Sequence, residues 1–360
     1  MRYHRQTLVS EVGLDGQLAL QKARILIVGM GGLGTPAALY LAGAGIGTLG
    51  LMDADEVNVS NLHRQVLYSM SDVGEKKVRA AKKQMLALNP DIIVNTHPSD
   101  FTAANAIEIA SQYDLILDGS DRFATKFLIN DVSLKLGIPW IYASVAQWDG
   151  QIALFNPRNR ESACYRCFRP EMPKVQIGNC AENGVIGPVV GILGVQEALL
   201  ALQVMLPKIK PLTAVLKTFD GFNQEWMNLA LSKNSHCKSC GIPASEIKIA
   251  DEPEFSCDLA GVTKVGTREL KNAMPAILAH TTLIDVRETD EWDEYHIEGA
   301  LHWPLGRLEK NEFPDLSRDR TILVYCQAGI RSQKASELFR NAGFQSISDL
   351  TGGIAAWLKL

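Results

Sequence analysis

Cys326 stands in the run Tyr325-Cys326-Gln327-Ala328-Gly329-Ile330-Arg331-Ser332, where a β-rich stretch gives way to a helical pattern. A loop of that composition turns several backbone N–H groups inward, and with a helix N-terminus and Arg331 it favours a thiolate and holds an anion over it. A persulfide is such an anion, so Cys326 is a candidate nucleophile with Arg331 as its cationic neighbour. Four further cysteines form two C-x-x-C pairs, Cys164 with Cys167 and Cys237 with Cys240. Two knuckles of this kind can give four thiolates to one tetrahedral Zn²⁺, a closed site with no open position for substrate. Redox pairs are the alternative, but neither pair has a thioredoxin-like context. Cys180, in a stretch containing Gly and Asn, and Cys257 are unpaired by spacing.

A second chemistry is carried by Gly29-Met30-Gly31-Gly32-Leu33-Gly34, between an apolar run at 24–29 and a helical pattern. Backbone amides in such a turn, together with the helix N-terminus, hold phosphate; Asp53 ends the next β-rich run where a ribose-binding acid belongs. These two features also describe an NAD-dependent dehydrogenase. The residues that follow break the tie. Asn61, Leu62, His63, Arg64 and Gln65 come next, then Lys77, and Arg5 lies near the start. A carboxylate attacking an α-phosphate builds charge that Arg and Lys can neutralise as pyrophosphate leaves with Mg²⁺. Arg5, Arg64 and Lys77 are the candidates for that work, which a dehydrogenase does not need.

These residues require a scaffold of alternating strands and helices. From residue 24 the chain alternates short β-rich runs at 24–29, 48–53, 91–97, 114–119 and 138–144 with helical patterns, among them 75–88, as a parallel sheet requires. The long apolar run at 184–206 is interrupted by Pro188, Gln196, Glu197 and Gln203, which favours a buried helix over a membrane span. After Cys240 the texture becomes aperiodic and acidic, and a smaller α/β pattern follows. The expected division is an adenylation-type domain at 1–240, a linker at 241–260 and a second domain at 261–360. A length of 360 residues, 46% of them hydrophobic and 21% charged, suits two soluble globular domains. The formal charge of −4 and the lack of a basic run argue against nucleic acid or an anionic membrane as main partner. The early charges Arg2, His4, Arg5, Glu11 and Asp15 leave no room for a secretory signal, so a cytoplasmic location is expected.

On the strength of the glycine turn, Asp53, the 60–65 stretch, Lys77 and the 117–121 run ending in Asp121, residues 2 to about 241 resemble the ThiF/MoeB (HesA) family of ubiquitin-activating-type adenylyltransferases. The resemblance implies a Rossmann-like domain with a mainly parallel sheet and a structural zinc on Cys164, Cys167, Cys237 and Cys240. It implies that Gly29, Gly31, Gly32 and Gly34 cradle ATP and that Asp53 holds the ribose. Asn61, Arg64 and Lys77 would contact the phosphates, and Asp121 would bind Mg²⁺ near the reacting phosphate. Arg5 would reach ATP from the partner subunit of a homodimer. Cys180 falls where the family carries a thiol near the adenylate, able to form a thioester or an acyl-disulfide. Two departures stand out: Ser120-Asp121-Arg122 replaces the family's Thr-Asp-Asn, and Gly119 stands where a Cys is frequent.

Residues 261–360 resemble a rhodanese domain, a small α/β fold, through 283–288, 296–300, the Cys326 loop and the terminal Gly-Gly-Ile-Ala-Ala-Trp. Four residues separate Cys326 from Arg331, the sulfurtransferase length, one shorter than in related phosphatases. Asp285 and Arg287 tie the base of the loop in this reading. The function implied is adenylation of the C-terminal glycine of a small ubiquitin-like sulfur carrier ending in Gly-Gly, followed by sulfur transfer from the Cys326 persulfide to give a thiocarboxylate. The cofactors are ATP, Mg²⁺ and Zn²⁺, and the sulfur comes from a persulfide donor such as a cysteine desulfurase. The pathway served is thiamine or molybdopterin synthesis. The alternatives are activation of a ubiquitin-like protein without sulfur transfer, a thiosulfate sulfurtransferase with a vestigial first domain, a binding scaffold, and a dehydrogenase with a redox tail.

Overall fold

The computed structural model describes residues 2–159, 162–172, 184–252, 262–267, 270–271, 274 and 281–358. They gather into two compact units, the first holding residues 2–159, 162–172 and 184–252 and the second those from 262 onwards. The first unit is built on strands β1 (Arg24–Val28), β2 (Thr48–Met52), β3 (Ile93–His97), β4 (Leu115–Asp118), β5 (Trp140–Ala146), β6 (Asp149–Phe155), β7 (Val215–Asp220) and β8 (Glu225–Ala230). Their order in the sheet is β3-β2-β1-β4-β5-β6-β7-β8. Pairing is parallel from β3 through β5 and antiparallel from β5 to β8.

Strand β1 is the middle of the parallel half. Its Ile25 aligns with Leu49 on one side and with Leu115 on the other, and Ile25, Leu26 and Ile27 are completely buried. A strand covered on both faces has no reason to alternate, so it reads as one apolar run. Ile25 and Ile27 enter the core on one face of the sheet, Leu26 and Val28 the core on the other. Chain order reverses between β1 and β4, and in such sheets ligands bind in the crevice beyond the carboxyl ends of the strands at that point. The glycine turn follows β1 there, and residues 119–121 follow β4.

Helix Gly34–Ala44 starts at the turn and stops at Gly45, whose φ of +80° suits a left-handed cap. Helix Lys77–Leu88 fills the place expected for 75–88. The apolar run becomes helix Gly187–Met205, long and apolar enough by length and composition to cross a membrane. It packs on helix Gly34–Ala44 and on β5 and β6, burying Val189, Val190, Leu193, Glu197, Ala198 and Ala201. Strands β6 to β8 carry no sequence expectation; β8 is exposed along its whole length and so lacks the apolar pattern that marks a strand. Residues 247–252 are fastened to this unit: Lys135 Nζ donates to the Ile247 carbonyl at 2.7 Å, Ala103 N–H to Asp251 at 2.8 Å, and Arg166 to Glu252 at 2.5 Å.

The second unit holds β9 (Val262–Val265), β10 (Thr281–Asp285), β11 (Leu301–His302), β12 (Thr321–Tyr325) and β13 (Ile347–Leu350), all parallel, in the order β11-β10-β12-β13-β9. Helix Ile330–Asn341 leaves the end of β12 and packs on β12 and β13 through Ala335 and Phe339. Cys326 therefore stands at the carboxyl end of the central strand.

Candidate active sites

In the first unit the turn after β1 is made of backbone packed on backbone. Gly29 has φ +94°, and a Cβ on it would lie 2.7 Å from the Gly119 carbonyl; a Cβ on Gly34 would lie 2.0 Å from the Gly29 carbonyl oxygen. Only glycine fits, and the closeness couples the turn to the residues after β4. The 61–65 stretch lies against it: a Cβ on Gly32 would meet Arg64 at 3.5 Å, and one on Gly31 would meet Gln65 at 3.8 Å. Arg64 Nη1 lies 2.8 Å from His63 Nε2 and donates to the Ser60 carbonyl at 3.3 Å. Tyr68 donates its hydroxyl proton to the Met30 carbonyl at 2.9 Å, a support that no motif announces.

Asp53 accepts from the Met30 N–H at 2.7 Å and from the Asp55 N–H at 2.8 Å. Its carboxyl is held above the usual value by burial, against the pull of Lys77. Lys77, also buried, gives its ammonium to Asp55 at 2.8 Å and lies 3.9 Å from Asp53. The structure thus brings Asp53, Arg64, Lys77 and the glycine turn together, with Lys77 already bound to a carboxylate. Asn61 ends the turn Val59–Asn61, and its carbonyl accepts from the N–H groups of Arg64 and Gln65 at 3.1 and 3.0 Å. Arg5 is exposed on the short helix His4–Thr7.

Asp121 is exposed at the end of a braced loop. Under it, Asp118 accepts from the Ser120 hydroxyl at 2.6 Å and from Lys126 at 2.7 Å, and Lys126 also donates to the Ser120 and Ala143 carbonyls at 2.9 and 2.8 Å. Burial alone would lower the Lys126 pKa, but Asp118, together with Tyr142 and Glu197, makes the net shift upward. Arg122, where the family has Asn, pairs with Asp100 at 2.5 Å on the surface.

The four paired cysteines converge although the pairs are 73 positions apart. Sγ–Sγ distances are 3.6 Å for Cys164–Cys237, 3.4 Å for Cys167–Cys240 and 3.9 Å for Cys164–Cys167, and all four sulfurs lie within 4.8 Å of one another. Four thiolates around Zn²⁺ sit roughly 3.8 Å apart, so the cluster fits the ion. The hydrogen bond between them pushes the Cys164 thiol up and the Cys237 thiol down. Tyr165 N–H donates to Asn130 at 2.9 Å, and Arg166 and the Ser239 hydroxyl both bind Asp131, so the two knuckles are fixed to helix Phe123–Leu136. Cys180 and Cys257 lie outside the described residues.

In the second unit Cys326 is buried, its sulfur accepting from the Gly329 N–H at 3.1 Å, with the Ser332 hydroxyl 3.7 Å away. Gly329, with φ +107°, makes the turn into helix Ile330–Asn341. The terminal Gly-Gly run supports the loop from below: Ile354 and Ala355 N–H groups bind the Cys326 and Gln327 carbonyls at 2.9 and 3.0 Å, and a Cβ on Gly353 would come within 2.3 Å of the Cys326 carbonyl. Arg287 is buried on Asp285, 2.7 Å away, and on the Tyr295 carbonyl at 2.6 Å. Arg331 does not stand free over the sulfur: its Nη1 and Nη2 grip Glu291 at 2.5 and 2.7 Å.

Comparison with known proteins agrees with both units. The ThiF family model matches residues 3–240 and the rhodanese-like domain model residues 267–360. Adenylyltransferase and sulfurtransferase MOCS3 of Culex quinquefasciatus is 34% identical over 384 residues, covering 99% of this chain and 87% of that protein. Sulfur carrier protein adenylyltransferase of Thermus thermophilus is 40% identical over 258 residues, covering 71% of this chain and 95% of that protein. Among solved structures, E. coli MccB with ATP superposes with a TM-score of 0.60 at 22% identity, covering 67% of this chain and 75% of that one, a likeness of fold. The fold is mixed α/β with a mainly parallel sheet, a separate small parallel sheet and a four-cysteine cluster suited to zinc. The chain belongs to the ThiF family of ATP-using adenylation enzymes and carries a C-terminal rhodanese-like domain.

Proposed function

We propose that this enzyme adenylates the C-terminal glycine of a small ubiquitin-like sulfur carrier ending in Gly-Gly and then converts it to a thiocarboxylate. The carrier carboxylate attacks the α-phosphorus of ATP, the bond to the bridging oxygen breaks, and pyrophosphate leaves. The glycine turn at Gly29–Gly34 and the N-terminus of helix Gly34–Ala44 hold phosphate, Asp53 the ribose, and Asn61, Arg64 and Lys77 the developing charge. Asp121 is the residue to hold Mg²⁺, which neutralises the leaving pyrophosphate. Arg5 completes the site from the second subunit of a homodimer. A persulfide on Cys326, loaded by a donor such as a cysteine desulfurase, attacks the acyl carbon and AMP departs. Cys180 then attacks the Cys326 sulfur of the acyl-disulfide; the thiocarboxylate leaves, a Cys180–Cys326 disulfide remains, and an external thiol reduces it for the next turnover.

The reading divides the chain at 1–240, 241–260 and 261–360. The covalent connection makes the encounter of the two chemistries intramolecular. The work belongs to the cytoplasm, in thiamine or molybdopterin synthesis. One observation carries it: Arg64 and Gln65 packed on Gly31 and Gly32, beside the Asp53–Lys77 pair, in a chain that also builds the Cys326 loop.

The test is ATP–pyrophosphate exchange. Exchange is expected only when a Gly-Gly-ended carrier is supplied, and equal exchange without a carrier overturns the reading. Cys326→Ala is expected to leave exchange intact and abolish thiocarboxylate formation from a persulfide donor; unchanged sulfur transfer removes Cys326 from the mechanism.

A further inference from the structure

The sulfane-sulfur donor of a Cys326-type loop belongs to one of two classes. One is a dianion, thiosulfate, whose sulfane sulfur is transferred as sulfite leaves. The other is a persulfide R–S–SH, whose outer sulfur is uncharged in the reacting form. A loop built for the first needs free positive charge over the thiol; a loop built for the second does not.

The arginines that reach the Cys326 loop are each paired with an acid. Arg331 is the only charged side chain in the run 326–332, and both of its terminal nitrogens are engaged by the two carboxylate oxygens of Glu291. The pair is about two-thirds buried, with side-chain exposures of 31% and 29%. Glu291 raises the Arg331 pKa by that hydrogen bond first, and Arg331 is the chain neighbour of Ser332, whose hydroxyl lies 3.7 Å from the Cys326 sulfur. The Glu291 carboxyl is lowered in turn by Arg331. Arg287, the other arginine reaching the loop, is buried on Asp285 and touches Gln327 at 3.4 Å. Lys334, one turn further along the helix, pairs with Glu309. Glu291 is itself fixed, since its Oε2 accepts the Glu288 N–H at 3.2 Å at the start of helix Thr289–Glu294.

We infer that Glu291 is a positioning residue that selects the sulfur donor: by holding Arg331 in a neutral pair, it excludes thiosulfate and commits Cys326 to an uncharged persulfide. The inference rests on the reading of Cys326 as the sulfur acceptor and names the donor class at that site. In the selected reaction the Cys326 thiolate attacks the outer sulfur of R–S–SH, the S–S bond of the donor breaks, and its electron pair leaves with R–S⁻. Cys326–S–SH results, with the proton carried on the transferred sulfur, and no external oxidant or reductant is required.

The test uses the full chain and cyanide-released thiocyanate as the readout of Cys326 loading, with thiosulfate and N-acetylcysteamine persulfide as the two donors. Glu291→Gln keeps an acceptor for the Glu288 N–H and frees Arg331. It is expected to raise kcat/KM for thiosulfate about tenfold or more, the scale of one charge-assisted hydrogen bond, mainly through KM, while persulfide loading changes by less than about twofold. The gain for thiosulfate should shrink as salt rises. Glu291→Asp is expected to restore the parental preference, and Glu291→Gln combined with Arg331→Met to lose the gain, because Glu291 acts through Arg331. An unchanged donor ratio in Glu291→Gln, or equal loss with both donors, overturns the inference and leaves the role of Cys326 standing. A parent chain that neither donor loads overturns the reading of Cys326 instead.

Discussion

Glu197 lies on helix Gly187–Met205, fully buried, and neither carboxyl oxygen has a hydrogen-bond partner among the described residues. Burial, then the nearby Asp118, holds its pKa well above 4.5 in the fold. A carboxyl raised on folding is favoured in its protonated form, so its contribution to stability is complete below about pH 4.5 and is lost as pH rises through the folded value. At pH 8 the parent therefore carries a cost that glutamine would not. Glu197→Gln should melt above the parent by an amount that grows from pH 5 to pH 8, reaching a few degrees. A gap in melting temperature that is the same at both pH values would show that folding does not raise the Glu197 pKa into that range. From sequence, Glu197 was legible only as an interruption of an apolar run. Its burial depends on which face of the helix meets β5 and β6, information that no local pattern contains. The same holds for Lys77: its type and position point to phosphate, but its pairing with Asp55 exists only once the two segments meet.

At the scale of elements, the strand, turn and helix around Gly29–Gly34 follow one another along the chain, and their apolar run, glycines and helical pattern are all local, so the whole unit was legible. The reason each glycine is required was not. Gly34 faces Gly29 and Gly29 faces Gly119, and the last contact joins segments 90 positions apart, as the Arg24–Asp114 pair beneath it does. Gly34→Ala must push the turn apart, at a cost of about 1–3 kcal/mol or more. Its expected signature is a lower melting temperature for the first unit together with loss of ATP binding, read by calorimetry and nucleotide titration; normal ATP affinity in a stable variant would mean the turn can move. Strand β8 escaped the sequence reading for the opposite reason. An exposed strand with no buried face to declare carries no period, and only its hydrogen bonds to β7 define β8. The Cys326 loop was legible down to its length, whereas Arg331 was expected over the sulfur because Glu291, 40 positions upstream, could not be aligned with it from spacing.

For the molecule as a whole, the cysteine spacing foretold a long-range constraint in the first unit, since two knuckles of four sulfurs have few other uses. Removing zinc with a chelator, or replacing Cys237 by Ser, should lower the melting temperature of the first unit by about 10 °C or more while the transition of the second unit stays in place. An unshifted first transition would mean that the cluster holds no stabilising ion. The position of this cluster in the chain has a mechanical consequence. Tension arriving along the backbone from the second unit meets the ties at Glu252, Asp251 and Ile247 first, then Cys240. Strand β8, an exposed edge of the large sheet, comes earlier in the chain than that anchorage and so bears no pull along this route until the anchorage has given way.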